Sequence, residues 1–235
     1  RLLAQTYSVF GLEETLTWDS IRVVALESRW GSRWQWQVAM AIASVVSTGL
    51  WHFNYRFGRH ITVLVCLAAW FALPMTGHAM AFGSYWVWSI QLVHGLAAAL
   101  WIGTLAAVFL LAQRAVSARD GNEEVAELFR RFSPLAIGAV SVAVILGGVS
   151  AFLYLDAIDV LWSTNYGLML AVKIGVFSAT GVVGAYNWRR LIPKLEERRG
   201  ARVLFPSVRF ELFLAAMLLF VTGILVHLAI PNEMD

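Results

Sequence analysis

The chain has little of what a soluble enzyme uses. Charged residues make up 14% of its 235 residues, and most of them fall in gaps between long apolar runs. A single cysteine, Cys66, rules out an internal disulfide and lies in the middle of an apolar segment, where it reads as a packing residue. There is no Walker loop, dinucleotide glycine fingerprint, HExxH, CxxC or GxSxG pattern. ATP-driven transport within this chain is therefore excluded from the expectation, and the chain is not expected to be an enzyme. No internal repeat, low-complexity tract or signal peptide is visible. The first residue is Arg1 rather than Met, so the sequence is expected to be the remainder of a longer protein.

What is present is hydrocarbon. Residues of the apolar and aromatic classes make up 59% of the chain, which predicts an all-α polytopic membrane bundle. About six transmembrane helices are expected, over roughly 35–54, 61–80, 86–112, 134–155, 166–188 and 209–230. Each meets the ~20 residues that a helix rising ~1.5 Å per residue needs to cross a bilayer. Residues 1–34 contain no such run. They mix Glu13, Glu14, Asp19, Arg22, Glu27, Arg29 and Arg33 with apolar side chains, and Trp30, Trp34 and Trp36 follow as an interfacial aromatic belt. The expected organisation is an interfacial segment over 1–34, following absent N-terminal helices, and a transmembrane bundle over 35–235.

Orientation follows from the basic residues. The loops 55–60, 113–133 and 189–209 hold 13 of the 18 Lys and Arg residues. The opposite set, 81–85, 156–165 and 231–235, holds none and contributes Asp156, Asp159, Glu233 and Asp235. By the positive-inside rule the first set faces the cytoplasm. The net charge of +3 is thus a topology signal, and nucleic acid is not an expected partner. Gly147, Gly148, Gly181, Gly184, Ala97, Ala98, Ala99 and Gly103 read as close helix packing.

Against this background the histidines stand out. Polar rings inside a bilayer are costly unless something engages them. His78 falls near the outer end of the second expected span, and His94 roughly 12 Å into the third. His227 falls about one turn below the outer end of the sixth. Met40, Met75, Met80, Met169 and Met234 map to the same outer half or face, and imidazole with thioether suits copper, Cu(I) above all. The candidate ligand set is His78, His94, His227, Met80 and Met75. Taken singly, each methionine reads as adaptable packing and each histidine as a helix–helix hydrogen-bond partner. His52 and His60 flank the first cytoplasmic loop and read as interfacial residues.

Lys173 is the other intramembrane anomaly, at about the depth of His94. It would exclude or gate cations, pair with an anionic ligand, or snorkel along its own helix. Glu211, at the basic end of the sixth span, is expected to pair with a nearby arginine.

Several stretches carry a family resemblance: TGHA at 76–79, His94 followed by WIG at 101–103, RFSPLAIGAV at 131–140 and YGLMLAVK at 166–173. YNWRRLIPKL at 186–195, SVRFE at 207–211 and ALESRWGSRW at 25–34 extend it. In this order they resemble the copper-resistance protein CopD (PcoD) family of bacterial inner-membrane proteins. The resemblance implies copper handling at the inner membrane beside a periplasmic copper carrier of the CopC type, with the family's histidines falling on His78 and His94. Thr104 departs from the family's second glycine after WIG, and His227 is not part of the family pattern.

Three functions follow as expectations. The first is a copper-binding membrane protein that accepts copper at its periplasmic face; import as well would need a lower relay, for which Cys66 and Met217 are isolated candidates. The second is a haem b-binding electron-transfer protein, for which His78 and His94 differ in depth by roughly 8 Å. The third is an accessory subunit of a larger membrane complex.

Overall fold

The computed structural model describes residues 2–11, 16–53, 56–72, 74, 84–115, 121–155, 157–196, 200–228 and 230. Among them the chain is helical and has no strand. The helices are α1 (Leu2–Phe10), α2 (Trp18–Arg22), α3 (Arg29–His52), α4 (Gly58–Ala72), α5 (Tyr85–Ala115), α6 (Gly121–Tyr154), α7 (Val160–Ser163), α8 (Asn165–Tyr186) and α9 (Gly200–Leu225). Four stretches are long and apolar enough to cross a membrane: Tyr85–Ala115, Glu123–Tyr154, Asn165–Leu195 and Val203–Leu225. Helices satisfy every backbone group internally, which is what hydrocarbon requires.

The expected count of about six spans is not reached among the described residues. The second expected span is described as the 15-residue α4, and its expected continuation at 75–80 lies outside the described residues. The first corresponds to α3, whose 24 residues include Arg29, Arg33, Gln35 and Gln37. These polar side chains hold α3 below the apolarity of the four spanning stretches.

The chain divides into two compact units, 1–92 and 93–235. In the first, Ser28 caps α3 by accepting a hydrogen bond from the Gly31 amide at 2.8 Å. Side-chain amides and an indole then tie the helices through backbone carbonyls. Gln35 donates to the Ala25 carbonyl at 2.6 Å, Gln37 to Ala72 at 2.8 Å and Trp70 to Leu92 at 3.1 Å. Trp30 stacks near Trp34, with ring centroids 6.4 Å apart.

In the second unit, α8 starts sharply. Thr164 caps it, accepting from the Gly167 amide at 3.0 Å. At Gly167 a Cβ would stand 2.2 Å from the Val160 carbonyl oxygen, so only glycine lets α7 fold back this tightly. Tyr154 and Tyr166, both buried, meet edge to face at 6.4 Å and join the end of α6 to this corner.

The core of this unit has two parts. Trp101, Ala139 and Leu218 are buried together mid-bundle, with Phe177 edge-on to Trp101 at 5.9 Å. Leu105, Phe109, Ala112, Val125, Phe129, Leu191, Leu195, Leu204 and Val208 form a larger cluster at the arginine-rich end. The stretches 113–133 and 189–209, expected as loops, are therefore largely helical here. Helix α6 begins at Gly121 and α9 at Gly200, while 187–191 is a π-turn and 192–196 a 3₁₀ turn. Their charges hide an apolar face, with Val125, Ala126, Leu195 and Leu204 fully buried. Elsewhere the surface of the unit is apolar. Ile145, Val182 and Phe220 are each about two-thirds exposed, which suits lipid rather than water.

Candidate functional site

His94 is placed by α5 and held by α6. Its ring is half-buried, and Nδ1 lies 2.9 Å from the carbonyl oxygen of Ala143. A carbonyl only accepts, so Nδ1 carries the proton and Nε2 keeps its lone pair outward. A histidine poised to ligate a metal is oriented in this way, its far nitrogen donating to a fixed oxygen. Gly147, one turn after Ala143, completes the seat. A Cβ there would stand 3.0 Å from His94 Cε1 and 3.4 Å from Nδ1. The glycine expected to let helix backbones approach instead makes room for an imidazole. Ala97, also expected as packing, is buried as such.

Lys173 of α8 shares this region and acts on the His94 ring through its charge. It is half-buried and makes no hydrogen bond or ion pair with another described residue. Rise along each helix puts the group at one level. His94 is ~14 Å from the start of α5, Lys173 ~12 Å from the start of α8 and Gly147 ~11 Å from the end of α6. Those ends form the arginine-poor side of the unit.

The other expected ligands fare differently. His78, Met75 and Met80 lie outside the described residues. His227 was expected inside the sixth span, but α9 ends at Leu225. His227 stands in the turn beyond, half-buried, its amide donating to the Ile224 carbonyl at 2.9 Å. Met40 and Met169 are half-buried, and Cys66 is exposed and free. Among the described residues no three His, Cys, Asp or Glu side chains gather into a metal-holding group. Thr104 hydrogen-bonds back to the carbonyls of Leu100 and Trp101 on its own helix, so its hydroxyl is satisfied locally.

A second polar cluster, not anticipated, lies toward the arginine-rich end. Glu211 was expected to pair with an arginine. It is instead 5% exposed and accepts a hydrogen bond from Asn187 Nδ2 at 2.7 Å on Oε2. Asn187 is itself buried, and its Oδ1 accepts from Ser207 Oγ at 2.5 Å. Gly184 faces the other oxygen, since a Cβ there would stand 2.8 Å from Oε1. The nearby Arg209 points elsewhere, over the Phe109 ring at 5.9 Å. The readable signal was the i, i+4 pair Ser207 and Glu211, two polar residues on one face of an apolar helix. A groove of about 900 Å³ opens between α6 and the 187–196 turns, lined by Arg130, Ser133, Ile137, Trp188, Ile192 and Pro193.

Residues 126–225 match the family model "CopD: Copper resistance protein D". The copper transport protein CutJ of Bacillus subtilis (strain 168) is 28% identical over 219 residues, covering 91% of this chain and 39% of that protein. The chain thus spans about two-fifths of the length of the curated relative it matches. No solved structure matches it. The family likeness expected from the sequence is borne out, and the matched segment contains Ala143, Gly147, Lys173, Asn187 and Glu211. Copper appears in both descriptions and haem in neither.

Proposed function

We propose that this CopD-family membrane protein receives copper from the periplasmic side of a bacterial inner membrane, with His94 Nε2 as an intramembrane ligand, and passes the ion inward without enzymatic turnover. The observation that carries this reading is the bond from His94 Nδ1–H to the Ala143 carbonyl at 2.9 Å. It fixes the tautomer and leaves a directed lone pair in a low-dielectric setting, where a soft or borderline cation is a better partner than water. The positive-inside bias supports reading this level of the bundle as nearer the periplasm. His78, Met75, Met80 and His227 supply further donors in this reading, and a periplasmic CopC-type carrier is the proposed source of the ion.

Lys173 shapes the proposal. A positive charge on Lys173 would weaken a resting cation at this level, so in this reading the site takes copper transiently rather than storing it. A transporter needs binding strong enough for entry and weak enough for exit.

The test is metal analysis of the purified full-length protein after Cu(I) loading. A His94→Ala variant should lose bound copper, and a His78→Ala, His94→Ala double variant should lose more. Loading equal to that of the unmodified protein would remove this reading. A Soret band in the visible spectrum would instead establish the haem alternative.

A further inference from the structure

Beyond copper, the arginine-rich half of the same unit contains a buried carboxyl group whose hydrogen-bond partner is a neutral amide. Glu211 lies ~12 Å beyond the Val203 end of its spanning stretch and is 5% exposed. Ionisable side chains inside a spanning helix default to functional groups, because burial without a role is costly.

The geometry around it is asymmetric. Oε2 accepts one hydrogen bond, from the neutral amide of Asn187, and Ser207 fixes that amide by donating to its oxygen. Oε1 accepts none among the described residues and lies against the bare backbone of Gly184. The charged neighbours are otherwise engaged or point out. Arg209, on its own helix, covers Phe109. On the preceding segment Arg189, Arg190 and Lys194 are exposed, and on α6 Glu127 pairs with Arg131 at 2.6 Å and Arg130 at 3.8 Å. Among the described residues Glu211 therefore has no cationic partner. A Cβ at Gly184 would stand 2.8 Å from Oε1, so the bare glycine backbone is what lets the carboxyl lie this close to α8.

We propose that Glu211 is an intramembrane proton-binding site, in which Oε1 takes a proton from water on the arginine-rich side and returns it, while Asn187 and Ser207 hold the carboxyl in place. No other bond forms or breaks. The proposal stands apart from the copper reading, since its residues lie ~20 Å along α8 from the level of His94 and Lys173. It gives the protein a second ionic station whose occupant is hydrogen ion.

The experiment is pH-difference infrared spectroscopy of the full-length protein in liposomes, in H₂O and D₂O, without copper. A carbonyl-stretch band of a protonated carboxylic acid is expected, shifted in D₂O and missing from Glu211→Gln. Coincident spectra for the unmodified protein and Glu211→Gln would overturn the proposal. Should Glu211→Gln fail to fold, Ser207→Ala leaves the carboxyl untouched and frees the Asn187 amide. The band must then move in frequency, and a band unmoved by Ser207→Ala would equally defeat the assignment. Because no metal is added, loss of the copper reading would leave this result standing, and the reverse holds as well.

Discussion

The imidazole of His94 rests against Gly147, where a Cβ would stand 3.0 Å from the ring's Cε1. The contact makes Gly147 a steric gauge of the ring position. Gly147→Ala requires the ring to yield by only a few tenths of an ångström, and copper loading should fall little. Gly147→Leu fills the seat, breaks the bond to the Ala143 carbonyl and should reduce loading to the level of His94→Ala. Full loading in Gly147→Leu would show that the ring position does not matter to the metal.

Lys173 should oppose copper. Its ammonium acts on the His94 ring, and removing a like charge near a cation site strengthens cation binding. Lys173→Met should tighten Cu(I) retention by about tenfold, which corresponds to ~1.4 kcal/mol. Competition against a Cu(I) chelator measures this directly. A weaker-binding Lys173→Met protein would mean the lysine supports the site rather than restraining it.

The cluster at the arginine-rich end should behave as core. Leu204 and Leu195 are fully buried there, although both fall in a stretch with the charge of a loop. Truncating either to alanine should cost ~2–5 kcal/mol, as for other buried leucines. Thermal unfolding in detergent should show a clear drop for both, whereas Val203→Ala, at an exposed position on the same helix, should change little.

Asn187 connects two partners at once, and its loss should be felt at both. Asn187→Leu removes the donor to Glu211 and the acceptor for Ser207. Leaving buried polar groups unpaired costs ~1–3 kcal/mol each. A marked loss of stability is expected, partly recovered when Glu211→Leu is added. If the double variant were no more stable than Asn187→Leu alone, the two side chains would not be coupled.

Much of this was legible in the residues. The apolar runs placed α5 and α8 within a few residues and the apolar parts of α6 and α9, but not the starts of those two at Gly121 and Gly200. His94 and Lys173 announced themselves as polar groups in those runs, and the structure does bring them to one level. The basic ends hid themselves, since Val125, Phe129 and Leu204 bury one face of segments whose charge count reads as loop. Partners were not readable at all. Nothing in the sequence says that Gly147 faces a histidine and Gly184 a glutamate. Such pairings depend on helix rotation, which hydropathy leaves free. Glu211 was misjudged for the same reason, because Arg209, the arginine two residues before it, covers the Phe109 ring instead.

Between the level of His94 and that of Glu211, Trp101, Ala139, Leu218 and Phe177 pack across the middle of the bundle. That septum behaves as the dielectric of a small capacitor. On the proposed reading, a copper ion at His94 and a proton at Glu211 would stand ~20 Å apart along the bundle, so a large share of the membrane voltage would fall between them. A unit charge moved from one plate to the other should therefore be electrogenic, and the bilayer potential would set its direction.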